Sequence, residues 1–265
     1  MRRALTIAAL LSVTIGAMAE HRVEDPLPSL ESVLQRAIET AKHEAENDRL
    51  VNQRYQYTRS RVTEYRNGDG EVTKREEKSS AHKLRTNGVP GNSNHARTPA
   101  AVTPKQLTEK TPKSATGEHP EVKKDILYDE SLYSRFQFTL VRRELVAGRS
   151  VLVLDFKPAN KKLPVHDFKD RFINLAAGRL WVDEDDSALV KADLHLTEKV
   201  NVMAGIVGAV AKFSCTLDRE RTADGLWFTH AMNWHLEARA LLARRTIDYH
   251  EEKTGVQKAV SATFR

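Results

Sequence analysis

Gly178-Arg179-Leu180-Trp181-Val182-Asp183, then Glu184-Asp185-Asp186-Ser187, then Leu189-Val190-Lys191-Ala192-Asp193-Leu194-His195-Leu196 is the stretch from which the fold is read. The first part is a strand running into an acidic residue, and the four polar residues after it make a turn. In the last part Val190, Ala192, Leu194 and Leu196 alternate with Lys191, Asp193, His195 and Thr197. A period of two with one dry face and one wet face is a half-buried antiparallel strand. The same pattern spreads in both directions. Upstream, Phe136, Phe138 and Leu140 alternate with polar partners, Ala147-Gly148-Arg149 turns the chain, and Val151-Leu152-Val153-Leu154 is apolar on both sides, as a central strand would be. Downstream, Phe213, Cys215 and Leu217 alternate, and Ala223-Asp224-Gly225 turns the chain into Leu226 to Trp234. Leu241 to Phe264 reads as two further strands. Repeated hairpins without crossover helices predict an antiparallel sheet and exclude a doubly wound fold.

Nearer the N-terminus the period changes. Pro26-Leu27-Pro28 breaks structure and Ser29 is placed to cap a helix. Leu30, Val33, Leu34, Ala37, Ile38, Ala41 and Ala45 then recur at helical spacing, opposite Glu31, Arg36, Glu39, Lys42 and Glu46. One amphipathic helix from Leu30 to Ala45 therefore needs a surface to cover. From Tyr55 the chain turns to aromatic and β-branched residues mixed with charge. Asn67-Gly68-Asp69-Gly70 marks a tight turn into a second strand from Val72. Lys161-Lys162-Leu163-Pro164 is a basic loop, and a short helix is expected at Phe168 to Ala176. Asn87 to Pro120 is rich in Pro, Thr, Ser, Gly, Asn and Lys and has no period, so it reads as a long disordered loop. The sequence shows no internal repeat.

The first nineteen residues predict export. Arg2 and Arg3 precede the apolar run Ala4 to Ile15, and Ala17-Met18-Ala19 supplies small residues before Glu20. Cleavage is expected after Ala19, leaving a single periplasmic domain over 20–265. The run falls short of the roughly 20 apolar residues of a spanning helix. Cys215 is the 1 cysteine, so an intramolecular disulfide is impossible, and its alternating neighbours make it a small buried hydrophobe. A net charge of +6 comes from 42 basic and 36 acidic residues interleaved along the chain. No basic stripe for nucleic acid emerges, and no nucleic-acid partner is expected.

The sequence carries no recognisable catalytic constellation. Asp183-Glu184-Asp185-Asp186 fails calcium-loop spacing, because the glycine position holds Ala188 and the closing glutamate position holds Leu194. It reads as a solvated acidic turn. His230 and His235, five apart in one strand, are expected on opposite faces and so unable to share a metal. His250-Glu251-Glu252 lacks a second histidine at zincin spacing, and His166-Asp167 has no serine elbow beside it. Neither enzyme activity, metal nor cofactor is expected. The uncharged run Val202 to Val210 is either a packed hairpin end or an apolar lip formed by Met203, Ile206 and Val207.

The order of elements resembles a known family. A signal, an amphipathic first helix, a hairpin with Tyr55-Gln56-Tyr57-Thr58 and Asn67-Gly68-Asp69-Gly70, and a strand ending Trp181-Val182-Asp183 before Leu189-Val190-Lys191-Ala192 are similar to the periplasmic lipoprotein-carrier superfamily (LolA/LolB-like). The likeness is greater to its uncharacterised exported members than to the true carriers. The resemblance implies an α+β fold: a strongly curved antiparallel sheet, a half-open barrel, with helices covering its concave face. It also implies an apolar cavity that receives acyl chains. Candidate lining residues are then Phe136, Phe138, Leu194, Leu196, Phe213, Met232 and Trp234, with Leu30, Val33, Leu34, Ala37 and Ile38 as the lid helix. The expected partner is a lipid or an acylated lipoprotein bound by a monomeric carrier. The alternative is an envelope-stress sensor or scaffold that binds a membrane protein through the same fold, and a hydrolase using His166 and Asp167 is the weakest reading.

Overall fold

The computed structural model describes residues 26–84, 133–159, 163–166, 168–202, 208–240 and 243–259. The expected export signal, the 87–120 loop, Asp167 and the lip residues Met203, Ile206 and Val207 lie outside that set. Helix α1 (Leu30–Lys42) starts at its expected cap. Ser29 Oγ accepts the Ser32 N–H at 3.3 Å, and Glu31 and Lys42 sit at the helix ends whose partial charges they oppose. The expected single helix to Ala45 is interrupted. His43 leaves the helical region (φ −94°, ψ 3°), and α2 (Glu44–Arg54) continues from it. A tertiary demand accounts for the break. The Asn47 side chain clamps both backbone groups of Trp227, accepting its N–H at 3.0 Å and donating to its carbonyl at 2.5 Å. Val51 meanwhile packs with Tyr55 and Phe228.

The rest is sheet. Strands β1 (Tyr55–Arg66), β2 (Val72–His82), β3 (Phe136–Val146) and β4 (Arg149–Pro158) come first, followed by the short α3 (Phe168–Ile173). After them run β5 (Ala176–Asp183), β6 (Leu189–Leu196), β7 (Val200–Val202), β8 (Gly208–Arg221), β9 (Trp227–Ala240) and β10 (Ala243–Lys258). They form one ten-stranded sheet in the order β2-β1-β10-β9-β8-β6-β5-β4-β3, with β7 added beside β8. Every pairing is antiparallel, and β2 and β3 end the sheet, so it does not close. The C-terminal region is one 16-residue strand rather than the expected two. Gly255, at φ 63°, does not turn the chain; it sits in a bulge where β10 carries an extra residue opposite β1. Val200 pairs with Val210 and Val202 with Gly208, so the apolar run is flanked by a hairpin.

The core has a definite place. Val33 of α1 packs on Leu152, Leu154 and Val182, joined by Leu30, Leu34, Ala37, Leu140 and Leu180. Helix α1 therefore seats on β3, β4 and β5. Among the described residues no helix is long and apolar enough to cross a membrane.

Candidate functional site

Register decides which side chains share a face, because partners across neighbouring strands project to the same side. One row runs Phe138, Phe156, Gly178, Leu194, Cys215, Trp234, Tyr249, Thr63, Glu76 across β3, β4, β5, β6, β8, β9, β10, β1 and β2. The next runs Leu140, Leu154, Leu180, Ala192, Leu217, Met232, Glu251, Arg61, Lys78 over the same strands. A third links Phe213, Leu236, Ile247, Tyr65 and Lys74. This face is apolar from β3 to β9 and becomes polar and charged from β10 to β2.

Helix α1 covers only part of it. Leu152 and Leu154 beneath the helix are 1% exposed, so the space directly under the helix is filled. Leu194, Phe213, Leu217, Met232, Trp234, Leu236 and Ile247 on the same face are each only half-buried. The open apolar floor thus lies beside the helix. On α1 itself, Leu30, Leu34 and Ile38 line a cleft of about 550 Å³ with Glu31, Gln35, Glu39 and Lys42.

Of the expected lining residues, Leu194, Leu196, Phe213, Met232 and Trp234 come together on the floor. Phe136 and Phe138 share the face but stand at its far edge, in an aromatic cluster with Phe156 and Tyr133. Among the lid residues, Val33 is core, Leu30, Leu34 and Ala37 pack at its margin, and Ile38 faces the cleft. Phe172 of α3 closes one end of the floor, meeting the Phe213 ring edge-on at 5.0 Å. Trp234 stacks on Tyr249 at 5.1 Å. Cys215, expected to be buried, is half-buried in the floor, and desolvation followed by the nearby Asp193 charge pushes its thiol up to about 11. It is neutral and a poor nucleophile there.

Glu251 organises the polar end. Its Oε2 accepts Arg59 Nη2 at 2.6 Å, Arg61 Nε at 2.9 Å and the Tyr249 hydroxyl at 2.6 Å. Burial and the bond to Glu251 push the Tyr249 hydroxyl up to about 12. The sequence reading passed over this group, because charges alternating along β1 look like an ordinary wet face.

The acidic turn is solvated only in part: Asp185 is exposed, while Asp183 is not. Asp183 is 1% exposed, and its carboxylate accepts Arg149 Nε and Nη2 at 2.6 and 2.7 Å. The amides of Asp185 and Asp186 donate to it as well. Glu184 takes Arg143 through both oxygens and the Ser150 hydroxyl. These oxygens are committed to arginine, and among the described residues no cluster suits a metal ion.

The opposite face carries a groove of about 490 Å³ whose lining combines Glu64, Arg75, Asn233, His235, Asp248 and His250 with Val62 and parts of Trp234 and Tyr249. His230 and His235 share this face, contrary to the alternation argument. A bulge leaves His230 as an extra residue between Thr229 and Ala231. His230 reaches Glu252 at 3.7 Å while His235 bonds Asp248 at 2.6 Å, and those two acids occupy alternate positions on β10. The hydrogen bond to Asp248 holds the His235 imidazolium above its ordinary range, against a smaller desolvation effect. Burial raises Asp248, but its bonds to His235 and Arg66 outweigh that and hold it low. A raised histidine stabilises the fold fully below its unfolded value of 6.5, and that contribution is lost as pH rises through the folded value. The lowered Asp248 acts in the other direction, its contribution fading as pH falls below 3.8. The stability difference between the parent and His235→Asn is therefore expected to be largest between those limits and to shrink above pH 6.5. Denaturant midpoints across pH check it, and a difference that grows with pH contradicts it.

Comparison with known proteins leaves the site to this chain's own residues. No family model and no curated protein matches the sequence. Among solved structures, the chain is similar to an outer membrane lipoprotein-sorting protein domain from Vibrio parahaemolyticus at 13% identity and a TM-score of 0.34, over 87% of this chain and 94% of that one. It is similar to a LolA superfamily protein from Nitrosomonas europaea at 11% identity and TM-score 0.30, over 89% and 96%. A DUF1329 family protein from Desulfovibrio piger matches at 13% and 0.29, over 86% and 94%.

Proposed function

We propose that this chain is an exported binding protein that shelters the hydrocarbon part of a lipid or acylated lipoprotein on the open floor of β6, β8, β9 and β10, as a carrier or chaperone without a catalytic step. The observation that carries the reading is the uneven covering of a single apolar face. Leu152 and Leu154 are sealed under α1, while Leu217, Met232, Trp234 and Leu236 on the same side are only half-buried. An apolar surface left open beside a lid helix favours an apolar ligand. Recovering even half of the roughly 0.8 kcal/mol per buried methylene over about a dozen methylenes supplies about 5 kcal/mol, so no specific polar contact is required.

The test uses the mature chain and a neutral pyrene-labelled acylglycerol. Saturable binding, quenching of tryptophan fluorescence, and an affinity about tenfold weaker in Met232→Glu are expected, since a charge placed on the floor must be desolvated by the bound chain. Met232 is half-buried, so the variant retains its fold. Absence of saturable binding by the parent protein overturns the proposal.

A further inference from the structure

We propose that the site selects amphiphiles with an anionic head group, namely phospholipids bearing net negative charge. Arg59, Arg61 and Lys78 receive the phosphate while the chains lie on the apolar floor. This rests on the reading of the floor as an acyl site and adds to it the class of ligand.

The register separates charge by face. On the floor side, β10, β1 and β2 carry Arg59, Arg61, Lys74, Lys78 and Lys253 against Glu76 and Glu251. On the other side the same strands carry Glu64, Glu77, Asp248 and Glu252 with Arg66, Arg75 and Arg244. The floor is therefore apolar in its middle and cationic along one flank. Met232 and Arg61 stand in one row with only Glu251 between them. Two strand spacings make about 10 Å, which is within reach of a head group whose chain rests on Met232 and Trp234.

The guanidinium groups are held in place and retain donors. Glu251 anchors both through one oxygen, taking Arg59 by Nη2 and Arg61 by Nε. Arg59 Nε is buried and has no acceptor. The Arg61 side chain engages Glu251 through Nε and is 37% exposed, and Lys78 is exposed, so both present N–H groups to a ligand. Cationic donors gathered beside an apolar surface are matched by a ligand rich in anionic oxygens. A carboxylate-anchored pair with further N–H groups fits a phosphodiester better than it fits an uncharged head, and the quaternary ammonium that accompanies the phosphate in phosphatidylcholine is opposed by the surrounding cationic flank.

Dioctanoyl phosphatidylglycerol and dioctanoyl phosphatidylcholine, both kept below micelle formation, distinguish the outcomes through displacement of the neutral pyrene probe from the mature chain. The anionic lipid is expected to bind about tenfold more tightly, the worth of one or two charge-assisted hydrogen bonds. Arg61→Gln/Lys78→Gln should bring the two lipids to within about twofold of each other, the phosphatidylglycerol affinity falling by several-fold more than the phosphatidylcholine affinity. Glu251 keeps its bond to Arg59 in that variant, so no buried carboxylate is stranded. Lys78→Glu, on the exposed edge strand, gives a second reading by charge reversal and should weaken the anionic lipid by more than the zwitterionic one. Equal affinities in the parent protein overturn the head-group proposal and leave the acyl site standing. Failure of the neutral probe and both lipids to bind overturns the acyl site. Inorganic phosphate alone competing as well as the anionic lipid also overturns the proposal, since the flank is then an anion site unconnected to the floor.

Discussion

Replacing Gly178 with alanine is expected to destabilise the protein by about 3 kcal/mol, near the upper end of what overpacking costs. A Cβ at this position stands 1.9 Å from the carbonyl oxygen of Asp193, 2.9 Å from that carbonyl carbon and 3.0 Å from Leu194 Cα. All three obstacles are backbone, so no rotamer change relieves them. Strand β5 has to move away from β6, weakening the ladder that pairs Ala176 with Leu196 and Ala177 with His195. Gly178 also stands in the row between Phe156 and Leu194, at a position of the floor face that no side chain fills. Moving β5 therefore displaces Leu194 from the floor, and probe binding should fall along with stability. Chemical denaturation of the parent and Gly178→Ala gives the comparison. A change in stability below about 0.5 kcal/mol, the size of an ordinary surface substitution, shows that the approach of the two strands is not a constraint.

Arg149→Met should have an effect of similar or greater size, about 3–5 kcal/mol, because it leaves a buried carboxylate without its counter-ion. The side chain of Asp183 is 0% exposed, that of Arg149 28%. The consequences of removing the two partners therefore differ. With Arg149 gone, the Asp183 charge keeps only the amides of Asp185 and Asp186. With Asp183→Asn, the partly hydrated guanidinium still has Asp186 at 3.3 Å, and the side-chain oxygen still accepts amides. That change is expected to cost about 1–2 kcal/mol. Equilibrium unfolding of both variants checks the order, and a costlier Asp183→Asn refutes the account. The pair also locks the turn between β5 and β6, onto which Trp227 is tied by its indole N–H to Asp186. Loosening it should propagate to the Asn47 clamp and to the seating of α2.

Much of the fold is legible in short stretches. Ser29 caps α1 because its hydroxyl sits where the first free N–H groups emerge. Asn67 turns the first hairpin because its Oδ1 takes the amides of Asp69 and Glu71. Ala147 and Gly148, both at positive φ, match the twist of the strands they join. The alternation of Leu194, Phe213, Cys215 and Leu217 identified one face correctly. Each expectation that failed depended on a partner distant in sequence. The helix breaks at His43 because Asn47 meets Trp227. His230 changes sides because β8 and β9 slip by one residue. Gly255 bends β10 because β1 continues past it. Asp183 is buried because Arg149, at the start of the neighbouring strand β4, meets it.

The candidate site divides in the same way. Alternation along a strand follows from backbone geometry, so the apolar character of the floor residues was readable without a structure. Whether such a residue ends as sealed core or open floor depends on where α1 lands, and that is a matter of packing. The charged flank depends further on register: Arg59, Arg61 and Glu251 belong to strands almost 200 residues apart in sequence. Local sequence determined an antiparallel β-rich chain with a capped amphipathic helix, because period, turn chemistry and capping act over a few residues. Only the tertiary structure decided which apolar surface stays open and where the cations gather, because both are set by contacts between segments that the chain keeps far apart.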